Sequence, residues 1–273
     1  MTTTYCVLYA LIGGLAISLG YHRCLCHSSF KTYKWLEYLL VLIGLPTGTP
    51  VQWVATHRAH HAFSDREGDP HSINVQGFWY AQVGKYFRSD NVLLCVLYSL
   101  SGPLRILING VISPRIDKEY YKFGRDILQD PFYAWLAKPL PYFLVSATHF
   151  VVTITPMYLL EGWWGIGWLW ATIVVMYNIG DASDTISHGW GERLPGANHK
   201  ATNLRWYALA TWGDGWHANH HSLPESAQHG MFPGQYDGCW NVIQWMEKRG
   251  HAWDVKRPDP ADVEALRASE KAA

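Results

Sequence analysis

The chain has 273 residues, a formal net charge of zero at pH 7, and only 16% charged against 15% aromatic residues. It carries no basic run and no basic-aromatic stripe, which excludes nucleic acid as a partner. Five cysteines (Cys6, Cys24, Cys26, Cys95, Cys239) are odd in number and form no C-x-x-C pair, which excludes a disulfide framework and a zinc ribbon.

In chain order, residues 5 to 20 carry no charge and predict a first membrane span over 5–21. No basic residue precedes this run and His22 follows it directly, which argues against a cleaved signal peptide. The run ends in Y-H-R-C-L-C-H. His22 and His27 are five apart, about 140° around an α-helix, so they share a face only if the helix ends between them. A helix end at the membrane surface is therefore expected. Cys24 and Cys26 are out of phase with the histidines and read as small packing residues.

Residues 36–54 are apolar but interrupted by Pro46 and Pro50 around T-G-T. They are too short for two crossings and read as an in-plane or re-entrant segment. Next comes His57-Arg58-Ala59-His60-His61. With 14 histidines placed at random, H-x-x-H-H should occur about 0.04 times per chain, yet it recurs at His217, His220 and His221. On a helix each triplet points into an arc of roughly 100°. Residues 92–112 are broken by Pro103 and Arg105 and should not span.

Residues 142–160 and 163–182 are separated by Glu161 and Gly162 and predict a helical hairpin through the bilayer, its tip anchored by Trp163 and Trp164. His149, inside a span, reads as an interhelical hydrogen-bond partner. Where the hairpin ends, Asp181, Asp184 and His188 stand at i, i+3 and i+7, one face of a helix leaving the membrane. Ionisable groups there are costly unless paired or metal-bound. His71 and His229 read as residues that orient ligands, and His199 and His251 as solvated. Residues 254–273 read as a polar tail with a short helix after a proline-rich turn. The basic residues between Arg23 and Lys138 fall on the histidine side, which makes that side cytoplasmic.

The fold expected is an all-α membrane protein with three transmembrane helices. It forms one domain over 1–253, with a helical cytoplasmic cap at 55–140 and 183–253. Neutral imidazole suits iron, copper, zinc and nickel. The eight histidines of the three clusters exceed one ion's coordination shell, so a site of two metals is inferred, each keeping an open position.

The motifs G-Y-H-R-C-L-C-H, W-V-A-T-H-R-A-H-H, G-D-P-H-S, D-P-F-Y-A-W, S-H-G-W-G and G-D-G-W-H-A-N-H-H-S-L-P run from about Gly20 to Gly230. Together they resemble the membrane fatty acyl desaturases of the stearoyl-CoA (Δ9) type, and a bacterial member of that group. The resemblance implies that His22, His27, His57, His60, His61, His188, His217, His220 and His221 bind two ferrous irons, and that these ligands are the catalytic apparatus. It further implies that dioxygen and two electrons from a ferredoxin, or from cytochrome b5 with its reductase, drive removal of two hydrogens from adjacent methylenes of a long acyl chain. Trp53, Phe78 and Trp79 are candidates for the substrate tunnel.

Two positions depart from the family. Asp184 stands where members usually carry Asn, and it becomes a tentative tenth ligand and possible catalytic group. Only about twenty residues precede His22, where the family has a further helix and a fourth span, so the chain reads as three-spanning with an outside N-terminus or as shortened at its start. Acyl-CoA, acyl carrier protein and acyl-lipid substrates all stay open. The rival readings are a membrane di-iron hydroxylase or methyl oxidase and, from another class, a divalent-metal transporter.

Overall fold

The computed structural model describes residues 1–107, 109 and 120–271. Helices dominate. The first, α1 (Thr2–Ala16), continues without interruption into a π-helical segment, Ile17–Cys26, and the two form one apolar stretch long enough to cross a membrane. α2 (Lys34–Gly44) and α3 (Pro50–Phe63) follow. Pro46, Gly48 at φ 140° and Pro50 separate them, and the chain bends by 78° there. Thr49 caps α3, its side-chain oxygen accepting from Gln52 N–H at 3.3 Å. This bent pair is the interrupted segment that the prolines of 36–54 predicted.

Short turns lead to α4 (Val92–Leu100), whose nine residues are too few to cross a bilayer. Of the segment 92–112, residues 108 and 110–112 lie outside the described residues. The second long apolar stretch is α5 (Pro139–Asp181), which folds back on itself at Gly162, φ 59° and ψ −139°. A Cβ on Gly165 would sit 2.2 Å from the carbonyl oxygen of Met157. Those residues are eight apart and would stand about 12 Å apart along a straight helix, so the stretch is an antiparallel pair. Trp163 (77% exposed) and Trp164 (81%) project from its tip, and Val151, Val152, Leu159 and Val175 face outward. An apolar outer surface of this extent requires a lipid surrounding.

α1 lies against both arms of α5. Thr2 donates to Glu161 at the tip, Tyr5 to the carbonyl of Thr153 at 2.9 Å, and Tyr9 meets His149 Nε2 at 3.2 Å, so His149 is the interhelical partner expected of it. Buried Tyr142, Phe150, Met157, Leu169, Ile173 and Tyr177 form the seam.

The remaining elements are short: α6 (Ile186–Gly189), α7 (Arg205–Ala210), α8 (His217–Ser222) and α9 (Gly238–Lys248). Two two-residue ladders tie them down. β1 (Lys31–Thr32) pairs with β4 (Ala252–Trp253), and β2 (Glu192–Arg193) pairs with β3 (Thr202–Asn203), both antiparallel. The last helix, α10 (Pro260–Lys271), lies in the segment read as a polar tail.

Gly162 occupies a backbone region that a Cβ disfavours by about 1–3 kcal/mol. Gly162→Ala should therefore lower the thermal midpoint in detergent by several degrees. An unchanged midpoint would contradict the reversal at that residue.

Candidate metal centre

The nine predicted histidines converge at the ends of these elements as two adjacent clusters. In the first, successive Nε2 atoms run His22–His220 (3.0 Å), His220–His61 (3.0 Å), His61–His57 (3.1 Å) and His57–His27 (3.1 Å). In the second they run His60–His188 (3.2 Å), His188–His217 (3.0 Å) and His217–His221 (3.1 Å).

Each H-x-x-H-H box serves both clusters. The i and i+4 residues go to one and the i+3 residue to the other: His57 and His61 to the first with His60 to the second, and His217 and His221 to the second with His220 to the first. The shared helical face was foreseeable, but the division was not. The stacked rings of His61 and His221, 4.2 Å apart, mark the boundary.

His22 and His27 reach one cluster by a route that α-helical geometry forbids. In the π-helical segment the amide of His27 donates to the carbonyl of His22 at 3.1 Å, an i→i+5 bond. Residues five apart then lie one turn above each other, and the two rings stand 5.0 Å apart. The expectation of a helix ending between them is corrected: the helix changes its winding and ends only after Cys26. Cys24 and Cys26 are buried in the apolar clusters, as packing residues should be.

Carboxylates fix the rings from behind. His188 Nδ1 donates to Asp65 at 2.8 Å, His60 Nδ1 to Asp69 at 2.9 Å, and His22 Nδ1 lies 3.2 Å from Asp214. A carboxylate only accepts, so the ring proton sits on Nδ1 and the Nε2 lone pair points into the cluster. Burial works to raise the Asp69 pKa, but the hydrogen bond it accepts from His60 helps bring it down to about 2. Asp214 is likewise held well below the usual carboxylate range: burial opposes this, and the hydrogen bonds it accepts from His22 and His229, with the charge of Arg23, outweigh it. Burial, and then the neighbouring imidazoles, push His217, His220 and His221 well below the usual histidine value, so all three are neutral at pH 7.

Neutral imidazoles whose lone pairs face one another repel. A single proton can bridge only one such pair, so four or five converging Nε2 atoms fit a cation. Separations of 3.0–3.2 Å subtend roughly 90–100° at an atom about 2.1 Å from each nitrogen, the angle between neighbouring ligands around a six-coordinate metal. The donor set therefore fits two imidazole-binding metal ions, with five nitrogens around one and four around the other.

Asp65, Asp69 and Asp214 escaped sequence reading as functional residues, although G-D-P-H-S and G-D-G-W contain two of them. The flanking glycines of Asp214 are the readable signal. At Gly213, φ 112°, a Cβ would lie 2.3 Å from Asp237 Oδ1, and at Gly215 it would lie 2.2 Å from the amide of Ala208. Arg23, counted above among membrane-orienting cations, is fully buried instead and bonds Asp237 at 3.0 Å and Asp214 at 3.1 Å. His71 stacks on His60 (4.8 Å), and His229 packs at a tilt against His220 (4.4 Å). His199 is not a solvated residue: it is half-buried, bonds Ser222 at 3.1 Å and packs on His221. His251 is also half-buried, beside Tyr33 and Trp245.

Asp184 stands apart from both clusters. Its Oδ2 accepts from Lys85, and its Oδ1 lies 3.3 Å from His71 Nε2. A cavity of about 1170 Å³ is lined by Lys85, His22, His57 and His217 and, between α1 and the second arm of α5, by residues as far as Thr2 and Glu161. Trp53 lines it, stacked on His57 at 4.9 Å. Phe78 and Trp79 do not. Phe78 faces Trp190, and Trp79 packs with Val83, Cys95 and Tyr98.

Residues 1–231 match the model of the family described as fatty acid desaturase. This chain belongs to that family. It is 35% identical over 256 residues to the sn-1 stearoyl-lipid 9-desaturase of Anabaena variabilis, an alignment covering 93% of this chain and 83% of that one. It is 34% identical to the sn-2 palmitoyl-lipid 9-desaturase of Nostoc sp. (strain 36), covering 93% and 80%. It is 32% identical to the acyl-CoA C20 Delta5-desaturase of Anemone leveillei, covering 92% and 72%. The protein is a membrane oxidoreductase that desaturates fatty acyl chains, which removes the transporter reading.

The carboxylates behind metal-binding histidines typically contribute 10- to 100-fold to metal affinity. Asp65→Asn and Asp214→Asn should each weaken metal retention by about that factor in a chelator competition. Retention equal to wild type would contradict their orienting role.

Proposed function

We propose that the two clusters hold two irons, and that the protein is an O2-dependent desaturase placing a cis double bond in a long-chain acyl group at a Δ9-like position. One observation carries this reading: both clusters open on the same long, largely apolar cavity, His22 and His57 from the first and His217 from the second. When bound, the irons supply the oxidising power that, with O2, two electrons and two protons, converts adjacent methylenes into an alkene and two waters.

The chain's own residues do the rest. His60, His188 and His22, each held by a carboxylate, aim their lone pairs before any metal arrives, so little reorganisation remains on binding. Trp53, stacked on His57 and 5.9 Å from the ring of His22, forms a flat part of the cavity wall beside the first cluster. α1 and the second arm of α5 enclose the remaining length. Successive methylenes are chemically alike, so regiochemistry comes from where this enclosure fixes the chain against the histidines. Thr2 and Glu161, hydrogen-bonded to each other, line the end of the cavity beside the tip of α5.

The same reading gives three crossings, α1 with its π-helical continuation and the two arms of α5, and makes α2 and α3 a re-entrant pair. Residues 1–253 then form one membrane domain with the histidines facing the cytoplasm, and 254–273 its tail. Electrons come from a separate ferredoxin or cytochrome b5 system. The nine histidines are the iron ligands. Asp184, neutralised by Lys85, acts on His60 through His71 rather than on a metal.

Expression in a host of defined lipid profile should yield a new monounsaturated acyl chain, located by mass spectrometry, and His217→Ala should abolish it. An alcohol as the main product would replace desaturation with hydroxylation, and activity surviving His217→Ala would remove the di-iron assignment.

A further inference from the structure

Between α1 and the second arm of α5 the cavity is open along one side. Tyr5 and Tyr9 tie α1 to the first arm, through the carbonyl of Thr153 and the ring of His149. At the tip of α5, Thr2 donates to Glu161. Further along, α1 touches the second arm where a Cβ on Gly13 would sit 3.1 Å from Met176 Sδ. Residues 2 to 13 span about 16 Å of helix.

Along that length two stripes line the cavity: Thr3, Val7 and Leu11 at i, i+4 and i+8 on α1, and Trp168, Ala171 and Val175 at i, i+3 and i+7 on the second arm. All six are exposed, Val7 by 50%, Leu11 by 46%, Trp168 by 61% and Val175 by 58%. Closely packed helices bury the stripes they turn toward each other. Stripes that line a cavity and are half exposed form instead the rim of an opening. Ala10 and Gly14, which also line it, are too small to fill it. No charged residue occurs from 2 to 21 or from 162 to 180, so this slot faces hydrocarbon without exposing a charge to it.

We propose that the methyl-terminal part of the substrate's acyl chain lies in this slot against the bilayer, so that the protein sets no upper limit on chain length. The proposal rests on the acyl-desaturase reading and the three crossings above. The slot is continuous with the part of the cavity lined by His22, His57 and His217, so a chain held beside the histidines extends into it. A tunnel that ends in a wall rejects each methylene beyond the wall. A slot that opens on lipid has no such wall, and each further methylene exchanges one hydrocarbon surrounding for another at little cost. The methyl end is then held nowhere, and the double bond cannot be counted from it.

The test uses wild-type holoenzyme in lipid vesicles with an electron donor and with myristoyl, stearoyl or behenoyl chains on one glycerolipid carrier. From stearoyl to behenoyl, kcat/KM should fall by less than about threefold. The double bond should keep its distance from the carboxyl carbon throughout. A tenfold fall over that step, or a double bond at constant distance from the methyl end, would overturn the proposal, and no variant has to fold for this result. If wild-type enzyme forms alcohols instead of alkenes, the desaturase reading fails, whereas the length series still reports on the slot.

Ala171→Trp sets an indole across the slot from one rim, and Val7→Trp from the other. Each should shift the behenoyl-to-myristoyl ratio of kcat/KM at least tenfold toward the shorter chain, and a ratio does not depend on how much of the protein folds. Val151→Trp, on the outward face of the first arm, should keep the wild-type ratio. A wild-type ratio in both slot variants would overturn the assignment. The five native cysteines are buried, so Val7→Cys adds the exposed thiol. Oxidised in vesicles, this variant should stay monomeric; a disulfide-linked dimer would put a second copy in the slot and overturn the proposal.

Discussion

Lone-pair repulsion among buried imidazoles is the constraint on which the rest of the structure depends. Nine Nε2 atoms gathered at 3.0–3.2 Å spacings, with protons fixed on Nδ1 at the carboxylate-held rings, form no stable arrangement by themselves. The fold must force them together, and rigid packing behind each ring does so. Asp214 is held by Arg23, which Asp237 holds in turn; Asp65 takes donors from Ser72 and Asn74 as well as from His188; and Asp69 takes the amides of Asp65 and His71.

This requirement also explains the membrane part. The long apolar helices deliver histidines from residues far apart in sequence to one place at their ends. α1 brings His22 and His27, the bent α2 and α3 pair brings His57 to His61, and the second arm of α5 brings His188. The 78° bend between α2 and α3, at Pro46 to Pro50, is what brings His57 to His61 beside the other boxes. The same helices leave the elongated cavity between α1 and α5, so the scaffold of the histidine clusters is also the wall of that cavity.

Much of this was legible in the sequence, because the signals were local. Unbroken apolar runs marked the long helices, Glu161-Gly162 marked the reversal, and the repeated H-x-x-H-H spacing marked the histidines that cluster. Features that depend on long-range packing were not legible. The π winding that unites His22 and His27 is stabilised by contacts along α2 and α3, where Gly20 admits Leu40 at a distance no Cβ would allow. The division of each histidine box depends on which neighbour faces which side of a helix. Arg23 reads from sequence as an interfacial cation, and only the approach of Asp214 and Asp237 makes its burial possible. Phe78 and Trp79 sit in an aromatic run that suits a tunnel wall, yet the chain turns their rings toward Trp190 and Cys95 instead.

Metal stoichiometry bears most directly on the two-cluster arrangement. Protein purified without oxygen and reconstituted with ferrous iron should hold two irons per chain by elemental analysis, and His60→Ala should retain one, in the five-nitrogen cluster. A single iron in the wild type, or two irons retained after His60→Ala, would contradict a centre built from two independent sets of facing lone pairs.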